Sequence, residues 1–133
     1  MKTLIKSCLI ISGLIGAIAS VVWTESVLAD PKLIRQVLQT RECQGCDLSR
    51  EKLSFANLRG ANLRNANLFS ADLKLSDLRE ANLIGAILDK ADLRGADLTG
   101  ADLTSAYMSE TNFCGAIVPD GQKSSEGCPK APK

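Results

Sequence analysis

The chain contains no histidine, and this absence removes the side chain that enzymes use most often as a general acid or base. It has no excess of charge either, since 16 Lys and Arg stand against 15 Asp and Glu. A neutral chain lacks the basic face of nucleic-acid-binding proteins and equally the acidic surface of a DNA mimic. We therefore predict a protein that is not an enzyme, uses no cofactor and has no nucleic-acid partner.

An apolar residue at every fifth position dominates the sequence between residues 48 and 118, without one insertion or deletion. Ala stands two residues before it in eleven of fifteen repeats, and Asn or Asp stands directly before it in eleven of fifteen. The unit reads A-(N/D)-L-x-x. The fifteen apolar positions are Leu48, Leu53, Leu58, Leu63, Leu68, Leu73, Leu78, Leu83, Leu88, Leu93, Leu98, Leu103, Met108, Phe113 and Val118.

A period of five fits neither regular element. Five residues advance a side chain by about 500° on an α-helix, which would scatter the leucines around it. On a flat strand, an odd step places successive leucines on opposite faces. The pattern works if the chain turns a corner once per repeat, so that each leucine and the alanine two residues earlier point inward. Four corners then close one coil of about 20 residues, with coils stacked about 4.8 Å apart.

The repeated unit resembles the pentapeptide-repeat family, and the resemblance covers residues 46 to 118. It implies an all-β solenoid, specifically a right-handed quadrilateral β-helix. Glu51 departs from the pattern at an inward position, while Ile87, Tyr107 and Ile117 replace the usual Asn or Asp. The segment CQGCDLS, at Cys43 to Ser49, is similar to the one that precedes the first coil in exported cyanobacterial members of the family.

The N-terminal residues 1–29 have the pattern of a signal peptide. Lys2 and Lys6 precede an apolar stretch, and Val27 to Ala29 offers a cleavage site. The alternative is an uncleaved membrane anchor, since residues 4–23 are about long enough to span a bilayer. Cleavage would leave 14 basic and 14 acidic residues after removal of Lys2, Lys6 and Glu25. It predicts an exported protein, in the periplasm or thylakoid lumen, with no membrane contact.

Three further segments complete the predicted organisation. Asp30 and Pro31 are typical of a helix start, and apolar residues at helical spacing predict a short helix over 31–41. We expect it to cover the exposed edge of the first coil, so that residues 30–45 form an N-terminal helical cap. The solenoid would occupy residues 46–118, and residues 119–133 would form a polar C-terminal tail.

Four cysteines remain after cleavage, and an even number in an exported chain favours disulfides. Cys46 and Cys114 are 68 residues apart, about 3.4 coils or roughly 16 Å along the solenoid. A disulfide needs Cα atoms within about 7 Å, so the pairs Cys43–Cys46 and Cys114–Cys128 are predicted. The same separation excludes a four-cysteine zinc site.

Two features have a functional and a structural interpretation. Cys43-x-x-Cys46 could belong to a thiol–disulfide redox protein, or it could clip the cap to the first coil. Asp residues 20 apart, such as Asp72 with Asp92, could bind Ca²⁺, or they could stabilise turns. The structural interpretation is preferred in both cases, and no metal site is predicted.

The function predicted best is that of a protein-binding or scaffolding module. Ile87 and Tyr107 are 20 residues apart and should stack on one wall of the solenoid, with Phe69 outward and diagonal to them. Ile84 and Leu75 are expected to flank this wall. Sheet stabilisation alone would also account for such residues, but apolar patches on a polar surface often mark interfaces. Phe69, Ile87 and Tyr107 are the predicted contact surface for an unknown protein partner or a second copy.

Overall fold

A computed structural model describes residues 31–130. The predicted signal peptide and residues 131–133 lie outside the described residues. The chain begins with helix α1, Pro31–Thr40. The helix ends where Arg41 adopts a left-handed conformation with φ 60°, while its N–H donates to the carbonyl of Val37 at 2.8 Å. This closure is a common way to end a helix, and it stops α1 one residue before the predicted boundary.

Helix α1 packs its apolar side against the first coil. Val37 is fully buried within the core, and Leu33 and Ile34 are partly buried against it. Leu38 remains 39 % exposed. The leucines of the first coil are consequently sealed from solvent, with Leu48 and Leu58 at 0 % exposure.

A ladder of parallel bridges between residues 20 apart builds the rest of the fold, from Glu42↔Asn62 to Asp97↔Ile117. Successive bridges are five residues apart, so each coil has four sides, and each side contributes one bridging residue. The ladder begins four residues before the predicted start at Cys46. The reason is that Cys43 takes the inward position of a leucine and is only 4 % exposed.

The core is a stack of leucines that runs through the solenoid. Every inward residue from Leu48 to Leu98 is at most 2 % exposed. Toward the C-terminal end, Leu103 is partly buried and Met108 is 39 % exposed. These two lie in the last coil, where no further coil stacks on them. Glu51, despite its inward position, does not interrupt the ladder, because its neighbour Lys52 bridges Asp72.

Each corner is a tight turn with a left-handed residue at its third position. In the turn that starts at Leu63, the Ala66 N–H donates to the Leu63 carbonyl at 3.0 Å, and Asn65 has φ 55°. The Asn62 side chain accepts from the Arg64 N–H at 3.4 Å, which is the turn-stabilising role predicted for Asn and Asp. Ten non-glycine residues have positive φ, so the corner conformation does not depend on glycine.

The segment after residue 118 folds back over the end of the solenoid. Ile117 and Lys123 form an antiparallel bridge, and the Ser124 N–H donates to the Ala116 carbonyl at 2.8 Å. The Gly115 N–H donates to the Ser124 carbonyl, also at 2.8 Å. The predicted polar tail therefore continues the sheet over part of the last coil.

Candidate partner-binding site

The apolar wall, defined as Phe69, Ile87 and Tyr107, lies on the side of the solenoid formed by residues 46–50, 66–70, 86–90 and 106–110. Ile87 bridges Asn67 in the coil before it and Tyr107 in the coil after it. The ladder thus brings Ile87 and Tyr107 into direct contact register. Tyr107 is 63 % exposed, while Ile87 is half-buried.

Phe69 occupies the corner of the same side, one coil before Ile87. Its N–H donates to the Asn67 side-chain oxygen at 3.1 Å, and its side chain is half-buried. The Lys90 ammonium lies 5.9 Å from the centre of the Phe69 ring, within the range of a cation–π contact. Phe69 is therefore partly covered by Lys90, and Tyr107 is the most accessible member of the wall.

Leu75 does not flank this wall, contrary to the sequence-based expectation. It sits at the far corner of the next side, in one column with Phe55 and Gly95, each 20 residues apart. A Cβ at Gly95 would lie 2.8 Å from Leu75 Cδ2, so Leu75 leans over the next coil in this column. Phe55 is 74 % exposed and Leu75 is 56 % exposed. The signal for this second apolar surface was an apolar residue at the corner position of two repeats stacked on each other.

The aspartate columns are engaged in turns and ion pairs. Asp77 accepts from the Arg79 guanidinium at 2.8 and 2.5 Å, and Arg79 Nε lies 3.8 Å from Asp97. Asp92 pairs with Arg94 at 2.7 Å. Within residues 31–130, no group of three or more His, Cys, Asp or Glu is arranged to hold a metal ion. The side chains that the calcium alternative required are thus committed to arginine.

The hydrogen bonds from Arg79 lower the pKa of Asp77 from 3.8 to about 2. A carboxyl whose pKa is depressed on folding stabilises the native state above its unfolded pKa, and that contribution is lost as the pH falls toward the folded value. We therefore expect Asp77 to contribute stability above about pH 4 and to lose it between pH 4 and 2. In an NMR titration, Arg79→Gln should raise the Asp77 pKa toward 3.8. An unchanged Asp77 pKa in the variant would contradict the role given to Arg79.

The cysteines lie in two separate places. Cys43 and Cys46 are paired beside the first coil, with Cα atoms 5.3 Å apart. Cys114 is paired with Cys128 at a Cα separation of 4.7 Å, and this pair connects the last coil to the returning tail. Cys43 is almost fully buried, while Cys46 is partly exposed.

Comparison with known proteins identifies the repeat. The family model for pentapeptide repeats matches eight copies over residues 42–83 and 76–115, which together span more than half of the chain. Comparison with curated proteins gives no match. Among the 24 solved structures that match, HetL from the cyanobacterium Nostoc sp. strain PCC 7120 is a pentapeptide repeat protein involved in heterocyst differentiation regulation. It is 35 % identical over 62 % of this chain and 43 % of its own, with a TM-score of 0.47.

Two further structures show the same sequence likeness. A pentapeptide repeat protein from the cyanobacterium Cyanothece 51142 is 30 % identical over 67 % of this chain and 84 % of its own, with a TM-score of 0.35. One from the Arabidopsis thaliana thylakoid lumen is 31 % identical over 57 % of this chain and 64 % of its own, with a TM-score of 0.21. This chain spans less than half the length of HetL. Pentapeptide repeat proteins fold as right-handed quadrilateral β-helices and are generally not enzymes. The chain belongs to the pentapeptide repeat family.

Proposed function

We propose that this protein is an exported, non-catalytic binding or scaffolding module whose apolar wall contacts a protein partner or a second copy. The observation that carries the proposal is the stack of Tyr107 on Ile87, at outward positions where the repeat normally places Asn or Asp. Elsewhere on the same side, Asp47 and Asn67 occupy these positions and hydrogen-bond to each other at 3.1 Å. Replacing such a pair by apolar side chains exposes apolar surface without filling the core.

Export rests on the sequence pattern of residues 1–29, which lie outside the described residues. Cleavage there would release a chain into the periplasm or the thylakoid lumen, where disulfides form. The two cysteine pairs of the described chain agree with that environment. No helix within residues 31–130 has the length and hydropathy needed to cross a membrane.

The redox alternative has less support than the structural interpretation of the Cys43–Cys46 pair. A redox-active pair needs an accessible, low-pKa thiolate, but Cys43 is 4 % exposed and belongs to the core cluster. Cys43 also fills the leucine position of the first repeat. These features favour a clip that fixes the start of the first coil.

The test of the proposed function is the triple variant Phe69→Ser, Ile87→Asn and Tyr107→Asn. We expect it to keep the circular dichroism spectrum of the wild type, since the replaced side chains point outward and Asn is the usual residue of the repeat. We expect it to lose the oligomer seen by sedimentation, or the partner captured from the native compartment. Leu75→Asn is the matched control, because it removes an exposed apolar residue from another corner. If the triple variant keeps both its oligomeric state and its partners, the apolar wall is not the interface.

A further inference from the structure

A groove opens between helix α1 and the first coil, away from the apolar wall. Ile34 and Leu38 line one side of it, and residues 52–57 line the other, enclosing about 380 Å³. Leu38 is 39 % exposed and Phe55 is 74 % exposed, so the apolar part of this groove is open to solvent. We refer to this feature as the α1 groove.

The coil side of the α1 groove is an unpaired β-edge. Lys52 and Asn57 bridge Asp72 and Asp77 in the second coil, but no coil precedes them. Within residues 31–130, the N–H and C=O groups of Lys52, Ser54 and Asn57 make no backbone hydrogen bond. Unpaired edge groups of this kind accept an additional strand from another chain.

The second coil shows which bonds an additional strand would make. There, the Asp72 N–H donates to the carbonyl of Glu51 at 2.8 Å. The Asp72 and Lys74 carbonyls accept from Leu53 and Phe55 at 2.7 and 2.9 Å. A strand in the α1 groove would repeat this pattern one coil earlier, accepting from the Lys52 N–H and donating to the Lys52 and Ser54 carbonyls. Its apolar side chains would meet Ile34, Leu38 and Phe55.

The charge around the groove selects the kind of strand. Residues 31–60 carry six basic and three acidic residues, a net charge of +3, whereas residues 101–130 carry two basic and four acidic residues, a net charge of −2. Lys52, on the edge itself, is exposed and forms no ion pair within the described residues. An acidic peptide is favoured here by charge complementarity. The basic residues counted are Lys32, Arg35, Arg41, Arg50, Lys52 and Arg59, and the acidic ones are Glu42, Asp47 and Glu51.

We propose that the α1 groove binds an extended segment of alternating apolar and acidic residues from a partner protein, which adds to residues 52–57 as an extra strand. Helix α1 forms the second wall of this site, so it both covers the core and shapes the groove. The backbone of the partner supplies the hydrogen bonds, and its alternate side chains face the apolar wall of the groove. This site is separate from the apolar wall of the proposed function, and each can fail without the other.

The experiment uses labelled synthetic peptides and fluorescence anisotropy on the purified chain. The probe is Asp-Val-Glu-Val-Asp-Val-Glu, and the controls are Lys-Val-Lys-Val-Lys-Val-Lys and the acidic peptide with proline at its central position. We expect the acidic peptide to bind and both controls to bind more weakly by roughly tenfold or more, since one loses charge complementarity and the other a backbone donor. Equal binding of the acidic and basic peptides, or undiminished binding of the proline peptide, would overturn the proposal.

Two protein variants locate the site. Phe55→Asn should weaken acidic-peptide binding by roughly tenfold, because it removes the largest exposed apolar side chain of the groove. Asn tolerates the left-handed backbone found at Phe55, whose φ is 61°. Leu75→Asn is the matched control, since Leu75 has φ 55° at the equivalent corner one coil later, outside the groove. Equal effects of the two substitutions would refute the assignment.

The remaining outcomes separate other occupants and the other proposal. If the wild type is a dimer by sedimentation and Phe55→Asn is a monomer, the groove joins two copies and the acidic-peptide assignment is wrong. The triple variant of the apolar wall should bind the acidic peptide as the wild type does. Lys52→Glu should reduce acidic-peptide binding, while Arg64→Glu, an exposed charge reversal outside the groove, should leave it unchanged. Failure of that contrast would also contradict the proposal.

Discussion

Leu78→Ala should lower the free energy of unfolding by about 2–5 kcal/mol, the range measured for leucines whose removal leaves a cavity. Leu78 is 0 % exposed and lies in the second coil, with an inward leucine 20 residues before it and another 20 residues after it. Both neighbours, Leu58 and Leu98, are fully buried as well. The backbone of the flanking coils is held by the ladder, so the site has little freedom to collapse around an alanine. Urea denaturation followed by circular dichroism measures the loss.

The matched control is Arg79→Ala, one residue further along the chain. The Arg79 side chain is 42 % exposed, and its ion pair is with Asp77. An exposed pair of this kind contributes about 0–1 kcal/mol, so we expect a cost of about 0.5 kcal/mol or less. The contrast between adjacent residues tests the five-residue register directly. Equal costs would show that the inward and outward positions are misassigned.

The period of the sequence was sufficient to predict the coil, and the reason is physical. One apolar residue in five can face a common interior only if the chain turns once per repeat, so the period fixes the corner, the number of sides and the 20-residue coil together. The bridges from Glu42↔Asn62 onward have this 20-residue spacing. The register of each wall follows from the same arithmetic, which is why Ile87 and Tyr107 could be placed together without a structure.

The corners were harder to predict, because the local preference of a residue did not decide its conformation. Phe55, Leu75 and Lys90 all have φ between 55° and 61°, although side chains with a Cβ avoid this region at a cost of roughly 1–2 kcal/mol. Stacking against the preceding and following coils imposes the turn regardless of that cost. Sequence reasoning looked for glycine at the corners, and it therefore placed Leu75 beside the wrong wall.

The two ends were also beyond the repeat argument, since each end depends on a segment with no periodicity. The α1 groove requires the placement of helix α1 over the first coil, which a helical pattern cannot supply. At the other end, the polar composition of residues 119–130 predicted a tail, whereas the Ser124 backbone pairs with Gly115 and Ala116. Backbone hydrogen bonds hold this segment, and they leave no signature in the side-chain pattern.

Removal of the Cys114–Cys128 pair is expected to have the second large effect. The two residues are 14 apart, and closing a loop of this length lowers the entropy of the unfolded chain by an amount worth about 3 kcal/mol. The double variant Cys114→Ser and Cys128→Ser should therefore unfold at a lower urea concentration. In non-reducing peptide mapping, the wild type should yield Cys114 linked to Cys128. A peptide linking Cys46 to Cys114 would contradict the solenoid, which separates them by more than three coils.

Hydrogen exchange distinguishes a local from a global role of this pair. In a repeat fold each coil contacts only its neighbours, so loss of the bond should first release the returning segment. The amides of Gly115 and Ser124, which bond to that segment and to Ala116, should exchange faster in the double variant. The Asn82 amide, which donates to the Ala61 carbonyl at 2.9 Å in the middle of the solenoid, is the internal control and should exchange at its wild-type rate. If Gly115 and Ser124 keep their wild-type protection, the backbone ladder alone holds the tail, and the disulfide acts only on the unfolded chain.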